Sequence, residues 1–329
     1  MIDAMPDNPI ELVKAYVASG IFPGASFAIV NGSDVQKHVY GYNRLKPEPV
    51  LLQADMAYDL ASVSKVVGTG TLMINLILSG KVGLDDLLTT QYPEFEGSGG
   101  ASLTIRQLLT HTSGIDPFIK NRNTLPYNAL RTALNQVTVT ADKTFHYTDV
   151  NFILLGFMLE TIYAQDLADI LQEQVFTPFK MIHTGFTALD RTVATAWDLP
   201  QGLVHDPKAQ ILGRHTGSAG LFSDLDDLVA FAQAYFAHPA YLALLQEHPQ
   251  TLPRVAKLAS VSQWASDYLG RHPILLDELL TSSGLHILPD WPALKTELTH
   301  QLHHVNIPKV QMVEWQMDVL RHFQHAQVF

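Results

Sequence analysis

Cysteine is absent from the 329 residues, which excludes disulfides, thiol nucleophiles and thiolate metal sites. Cations are scarce: 21 lysines and arginines face 32 acidic residues, a net charge of −11 with histidine neutral. No basic stripe is left to neutralise phosphates or to meet an anionic bilayer, so neither nucleic acid nor a membrane surface is an expected partner. No segment offers ~18 uninterrupted apolar residues. Residues 1–10 have neither a basic stretch nor an apolar core of the kind an export signal needs. The expected location is therefore the cytoplasm. What remains, 47% apolar and 16% charged residues, is the composition of a globular protein with a sizeable core, in one large domain or two ordinary ones.

The stretch that organises the chain is Ala61-Ser62-Val63-Ser64-Lys65-Val66-Val67 with the apolar run that follows to Ser79-Gly80. A helix beginning near Ser62 stacks Ser62 and Lys65 at i, i+3, so that the amine reaches the hydroxyl. The free N–H groups and positive field of the helix start favour an alkoxide there. The same four residues also read as a plain Ser62 N-cap with Lys65 in solvent. The helix carries Val66, Val67, Leu72, Ile74, Leu76 and Ile77, apolar nearly all round, which predicts burial in the middle of the domain.

Upstream, Asn8-Pro9 predicts the start of a helix that Gly20 closes. Residues 25–30 and 35–40 are β-rich runs joined through Asn31-Gly32, a hairpin signal. Downstream, Thr104 and Gln107 form a capping box. His111 suits a catalytic base by type, but the serine–lysine pair already supplies one, and His111 is read as bracing the turn before Gly114. Tyr147 and Asp149 precede the apolar helix 152–162, where a phenol can enter a cleft and a carboxylate can orient its neighbours. Leu225 to Phe236 predicts a further helix opened at Ser223.

Four segments then carry a resemblance: Ser62-Val63-Ser64-Lys65; Leu108-Leu109-Thr110-His111-Thr112-Ser113-Gly114; Tyr147-Thr148-Asp149; and Gly217-Ser218-Ala219-Gly220-Leu221-Phe222-Ser223. In this order over about 9–245 they resemble the serine β-lactamase and penicillin-binding-protein-like family, and within it the class C β-lactamase and family VIII esterase branch. The resemblance implies an α+β fold of β-lactamase/transpeptidase type, a helical domain plus an antiparallel sheet. It implies Ser62 as acylated nucleophile, Lys65 as its activator and Tyr147 as proton relay, with no cofactor and no metal. Asp149 stands where the family has Asn, a departure that leans toward an esterase and puts a carboxylate beside Lys65. His-Thr-Gly triplets at His183 and His215 imitate the family's third motif. His215 and Gly217, with Asp149, are the candidate substrate-orienting residues.

A composition break follows near 241–252. Eight of the 15 histidines and three of the four tryptophans lie beyond residue 240, whereas glycine all but disappears. Residues 254–280 and 293–327 predict helices. His300, His303 and His304 have ligand spacing but no carboxylate partners and are read as a solvated face. Ser266 to Leu280 and Gln316 to Gln327 resemble the helical middle of the bifunctional glutamine synthetase adenylyltransferase/deadenylase, without its nucleotidyltransfer motif. The chain is thus divided into 1–245, a serine hydrolase domain, and 246–329, a helical segment of other origin.

The family's remaining strands, third motif and second oxyanion donor come from its C-terminal part, and after Phe236 neither alternating strands nor Lys/His-Thr/Ser-Gly occurs. The sheet is therefore expected to be incomplete, with the hairpin edge covered by the helical tail or a second copy of the chain. The expected activity is hydrolysis of small esters or amides through an acyl-enzyme. The alternatives are a β-lactamase or D-Ala-D-Ala peptidase activity, or an inactive scaffold whose tail binds a partner.

Overall fold

The computed structural model describes residues 8–196 and 198–237. The chain divides into two compact units, Met1–Ala240 and Tyr241–Phe329. The helices expected at 254–280 and 293–327, the strands expected to be missing after Phe236, and His300, His303 and His304 all lie outside the described residues.

Helix α1 (Pro9–Ala18) begins as its sequence dictates, with the Asn8 side chain accepting from the Ile10 N–H and proline in the first turn. Strands β1 (Gly24–Asn31) and β2 (Asp34–Arg44) form the expected hairpin, Asn31 opposite Asp34 and Gly32 at φ 58° in the turn. A two-residue β3 (Val50–Leu51) pairs with β2. Among the described residues the outer edge of β1 has no strand partner. The last described helix, α9 (Leu225–Ala237), packs against β1, and Lys37 on the hairpin bonds Asp226 at its start.

The short strand β4 (Tyr58–Asp59) leads to the Ser62 segment. After Lys65–Gly70, a wide π turn, the chain continues as α2 (Thr71–Leu78), α3 (Leu88–Gln91), α4 (Ile105–Leu109), α5 (Tyr127–Asn135), α6 (Asp149–Tyr163) and α7 (Leu167–Leu171). It ends with α8 (Pro207–Leu212), β5 (Phe222–Ser223) and α9 (Leu225–Ala237). The architecture is α+β, helices with small antiparallel sheets. The Thr104–Gln107 capping box opens α4 with both reciprocal bonds made.

The central helix is α6, not the Ser62 helix. Val150 to Leu159 are all buried, apolar apart from Asn151, which is what a helix enclosed by others requires. In the Ser62 segment Val67, Leu72 and Leu76 are buried, whereas Val66 is 57% exposed and lies on the Ser62 side of the turn. The expectation of burial all round is thus corrected. The helix that opens after Ser223 is also corrected by one residue: its cap is Asp224, whose Oδ1 accepts from the Asp227 N–H at 2.9 Å, while Ser223 bonds Thr184.

Gly217 is where the loop after α8 crosses α6. A Cβ there would stand 2.1 Å from the Phe152 carbonyl oxygen and 3.1 Å from the Gly156 Cα, so only glycine permits the approach, and Thr69 Oγ1 donates to the Gly217 carbonyl at 2.9 Å. Gly217→Ala is expected to cost about 1–3 kcal/mol of stability by overpacking. An unchanged midpoint in urea unfolding would show that the crossing yields freely.

Candidate active site

Ser62 sits at a turn fixed on both sides. Strand β4 pairs with β5 (Tyr58 opposite Ser223, Asp59 opposite Phe222), and the Leu60 N–H donates to the Leu221 carbonyl at 2.8 Å. Ala61 then takes φ 45°, a left-handed conformation that an L-residue adopts only under constraint. The constraint is Asp59, whose Oδ1 accepts the Ala61 N–H at 2.9 Å and whose Oδ2 accepts the His205 N–H at 2.8 Å. Ser62 is left exposed at the end of this turn, and the helix begins one residue later, at Val63.

The π turn that follows has a local cause. A Cβ at Gly70 would meet the Lys65 carbonyl oxygen at 2.6 Å, so its absence lets the turn widen, and Thr71 closes the turn by donating from Oγ1 to the Val66 carbonyl at 2.7 Å. Lys65 nevertheless reaches Ser62: its Nζ lies 3.0 Å from Ser62 Oγ, 2.8 Å from Asp149 Oδ1 and 3.0 Å from the Ser218 carbonyl oxygen. Three acceptors match the three protons of an ammonium. The side chain is 5% exposed, so the solvated-lysine reading of the sequence does not hold.

Asp149, the first residue of α6, is the hub. Its Oδ1 holds Lys65, and its Oδ2 lies 3.1 Å from the Nζ of a second buried lysine, Lys208. Burial pushes the Asp149 carboxyl up, but the Lys65 and then the Lys208 ammonium outweigh burial and hold it below the ordinary carboxylate range. The helix start adds to the same effect. Tyr147 is 42% exposed and meets Lys65 through its ring face, with Nζ 5.0 Å from the centroid.

Sequence reading missed Lys208. One signal was present: Asp206-Pro207 marks a helix start, and a lysine in the first turn opposes the helix field unless acids hold it. Asp206 does so, with Oδ2 2.7 Å from Lys208 Nζ and Oδ1 capping the Ala209 N–H at 2.8 Å.

The family model described as beta-lactamase matches residues 10–293, most of the chain. The chain belongs to the beta-lactamase family. The match runs past residue 245. EstCE1, described as a hydrolase with promiscuous acyltransferase activity, superposes with a TM-score of 0.59 at 21% identity, covering 72% of this chain and 75% of its own. A class C β-lactamase superposes equally well. A putative D-alanyl-D-alanine carboxypeptidase of Salmonella agona is 27% identical over 237 residues, 59% of this chain and 54% of that protein. A further 105-residue match, 88% identical, is to the bifunctional glutamine synthetase adenylyltransferase/adenylyl-removing enzyme of Nitrosomonas europaea, and covers 32% of this chain. The chain spans only 11% of that enzyme's length and about half of the carboxypeptidase's. Both resemblances read from the sequence are therefore shown.

Of the two remaining candidate residues, Gly217 directly precedes Ser218, whose carbonyl holds Lys65, whereas His215 lies farther off. His215 Nδ1 pairs with Glu160 Oε1 at 2.5 Å, and its ring meets Tyr127 edge-on. Glu160 lies eleven residues beyond Asp149 on α6, about 16 Å along its axis, so His215 braces the far end of that helix. Gly217 serves the crossing over α6 described above. His183 Nδ1 lies 2.6 Å from Asp224, and Asp227 accepts from the N–H groups of Ile182 and His183.

Among the described residues, two groups bring metal-ligating atoms together, Glu160/Asp166/His215 and His183/Asp224/Asp227. In each the carboxylates are already engaged, Glu160 by Arg131 and the Leu167 N–H, Asp227 by two backbone amides and Thr184. A cavity of about 540 Å³ lined by Asp169, Gln172, His183, Thr187 and Arg214 contains none of Ser62, Lys65, Tyr147 or Asp149.

His111 is structural in its contacts. Its Nδ1 accepts from Asn151 Nδ2 at 2.9 Å and from the Thr148 N–H, and its ring lies 4.5 Å from that of Tyr147. Burial, with the Lys65 charge adding to it, lowers its pKa from 6.5 to about 4. Between those two values the unfolded chain binds a proton that the folded ring refuses, so stability falls as pH is lowered through that window. From pH 7 to pH 5 this loss is expected to be about 1–2 kcal/mol. His111→Gln should shrink that pH dependence in urea unfolding, and an undiminished dependence would contradict the assignment.

Proposed function

We propose that this chain is a serine hydrolase acting on small esters through an acyl-enzyme on Ser62. The observation that carries the reading is Lys65 Nζ at 3.0 Å from Ser62 Oγ, held there by Asp149 and the Ser218 carbonyl rather than by solvent. A buried cation fixed against a hydroxyl favours its alkoxide form, and so the nucleophile.

In the proposed reaction Ser62 Oγ attacks the ester carbonyl carbon and its proton passes to Tyr147, which acts as the phenolate and leaves this step as the neutral phenol. The carbonyl oxygen becomes an oxyanion facing the Ser62 N–H, which donates to no acceptor among the described residues. Collapse breaks the carbon–oxygen bond to the alcohol, which takes the proton back from Tyr147. Water then repeats the sequence on the acyl-enzyme, releasing the acid and Ser62. The acyltransferase description of EstCE1 supports an acyl-enzyme route in this fold, and Asp149 in place of the family's Asn supports the esterase branch. The putative carboxypeptidase of Salmonella agona favours a second reading, release of D-alanine from a D-Ala-D-Ala peptide.

The test is stoichiometric labelling by a fluorophosphonate together with hydrolysis of p-nitrophenyl acetate. Ser62→Ala is expected to abolish both, and Lys65→Ala to lower kcat roughly 10³-fold or more, since nucleophile and activator act as a unit. Tyr147→Phe should also be severely impaired. Turnover in Ser62→Ala above a few per cent of the parent would refute the nucleophile, and folded parent protein that takes no label would favour the scaffold reading. D-alanine release without ester hydrolysis would favour the peptidase.

A further inference from the structure

Four charged side chains form one chain of contacts behind Ser62: Lys65 to Asp149 at 2.8 Å, Asp149 to Lys208 at 3.1 Å, and Lys208 to Asp206 at 2.7 Å. They alternate in sign and sum to zero. Lys208 is 9% exposed, and its two carboxylate partners are partly buried, so none of these charges is fully screened by water. With Lys65 alone, Asp149 would place a whole negative charge against the ammonium that has to act on Ser62. With Lys208 on its second oxygen, that charge is divided between two cations.

We infer that Lys208 is a positioning residue for the proposed reaction: it holds Asp149 by one oxygen, so that the other fixes Lys65 over Ser62 without cancelling the positive charge there. Asp206 limits the effect from the far side. The inference rests on the Ser62 reading for its catalytic consequence but not for its electrostatic one.

The other groups facing Lys65 are accounted for. Ser62 lies on its own turn, the Ser218 carbonyl on the loop before β5, and the Tyr147 ring on the segment before α6. His111, across Tyr147, stays neutral above about pH 4.

The sign of each substitution follows from the charge sum. Lys208→Met leaves the group at −1, which makes every proton near Ser62 harder to remove. Asp206→Asn leaves it at +1, which makes each easier to remove, and asparagine still caps α8. The acidic limb of kcat/KM for p-nitrophenyl acetate is therefore expected to move up by about one pH unit in Lys208→Met and down by a similar amount in Asp206→Asn. Damage to the fold would move both variants the same way.

A second measurement is independent of turnover. In protein labelled with ¹³Cε-lysine, the Lys65 resonance, identified by its loss in Lys65→Arg, should titrate at higher pH in Lys208→Met and at lower pH in Asp206→Asn than in the parent. If the parent takes no fluorophosphonate label, the Ser62 reading fails and the resonance alone decides the electrostatic inference. If the parent labels at Ser62 but the resonance and the limb stay within about 0.2 pH units in both variants, the inference about Lys208 is overturned and the Ser62 reading stands. Shifts of the same sign in the two variants would also overturn it.

Discussion

The site depends on one carboxylate shared by two buried lysines. Burying an ammonium is costly unless a partner of opposite charge and further acceptors replace its water, and Lys65 has all three acceptors in place. Asp149 meets the same requirement at a helix start, where a negative charge is favoured. Through it the arrangement of Ser62 is tied to α6, the helix on which most of the core packs, and through Lys208 to α8. The geometry at Ser62 is thus set by elements far apart in sequence.

The Ser62 turn is held from the opposite side by backbone rather than charge. The β4–β5 pair, the Leu60–Leu221 bond and the two bonds of Asp59 keep Ala61 in a conformation it would not choose alone. Strain sits beside Ser62, and the surrounding contacts over-determine it. Val66 and Tyr147 are both open to solvent.

Sequence legibility followed the range of the forces. Asn8-Pro9, Asn31-Gly32 and the Thr104–Gln107 box act within four residues, and each produced the element it announces. The Ser62–Lys65 contact was legible from spacing, although the turn between them and α2 is π, because its widening depends on Gly70 approaching a carbonyl. What spacing cannot carry is a pairing across the fold. His183 finds Asp224 and His215 finds Glu160, so two triplets that imitate a third motif are braces. Lys208 went unnoticed in the sequence because its partner Asp149 is 59 residues away in the chain. Composition changes abruptly near residue 241, and the chain carries both the beta-lactamase family match over residues 10–293 and a 105-residue match, 88% identical, to the adenylyltransferase.

The most direct test of the shared carboxylate is a double-mutant cycle on Asp149→Asn and Lys208→Met, read by urea unfolding at pH 7. Residues in one ion network show interaction energies of about 0.5–3 kcal/mol, whereas independent sites add to within about 0.5 kcal/mol. Removing Asp149 leaves Lys65 buried without its anion and Lys208 with Asp206 alone, so the cost of Asp149→Asn should fall by about 1 kcal/mol or more when Lys208 has already been replaced. Additive losses in the double variant would contradict a carboxylate shared between Lys65 and Lys208.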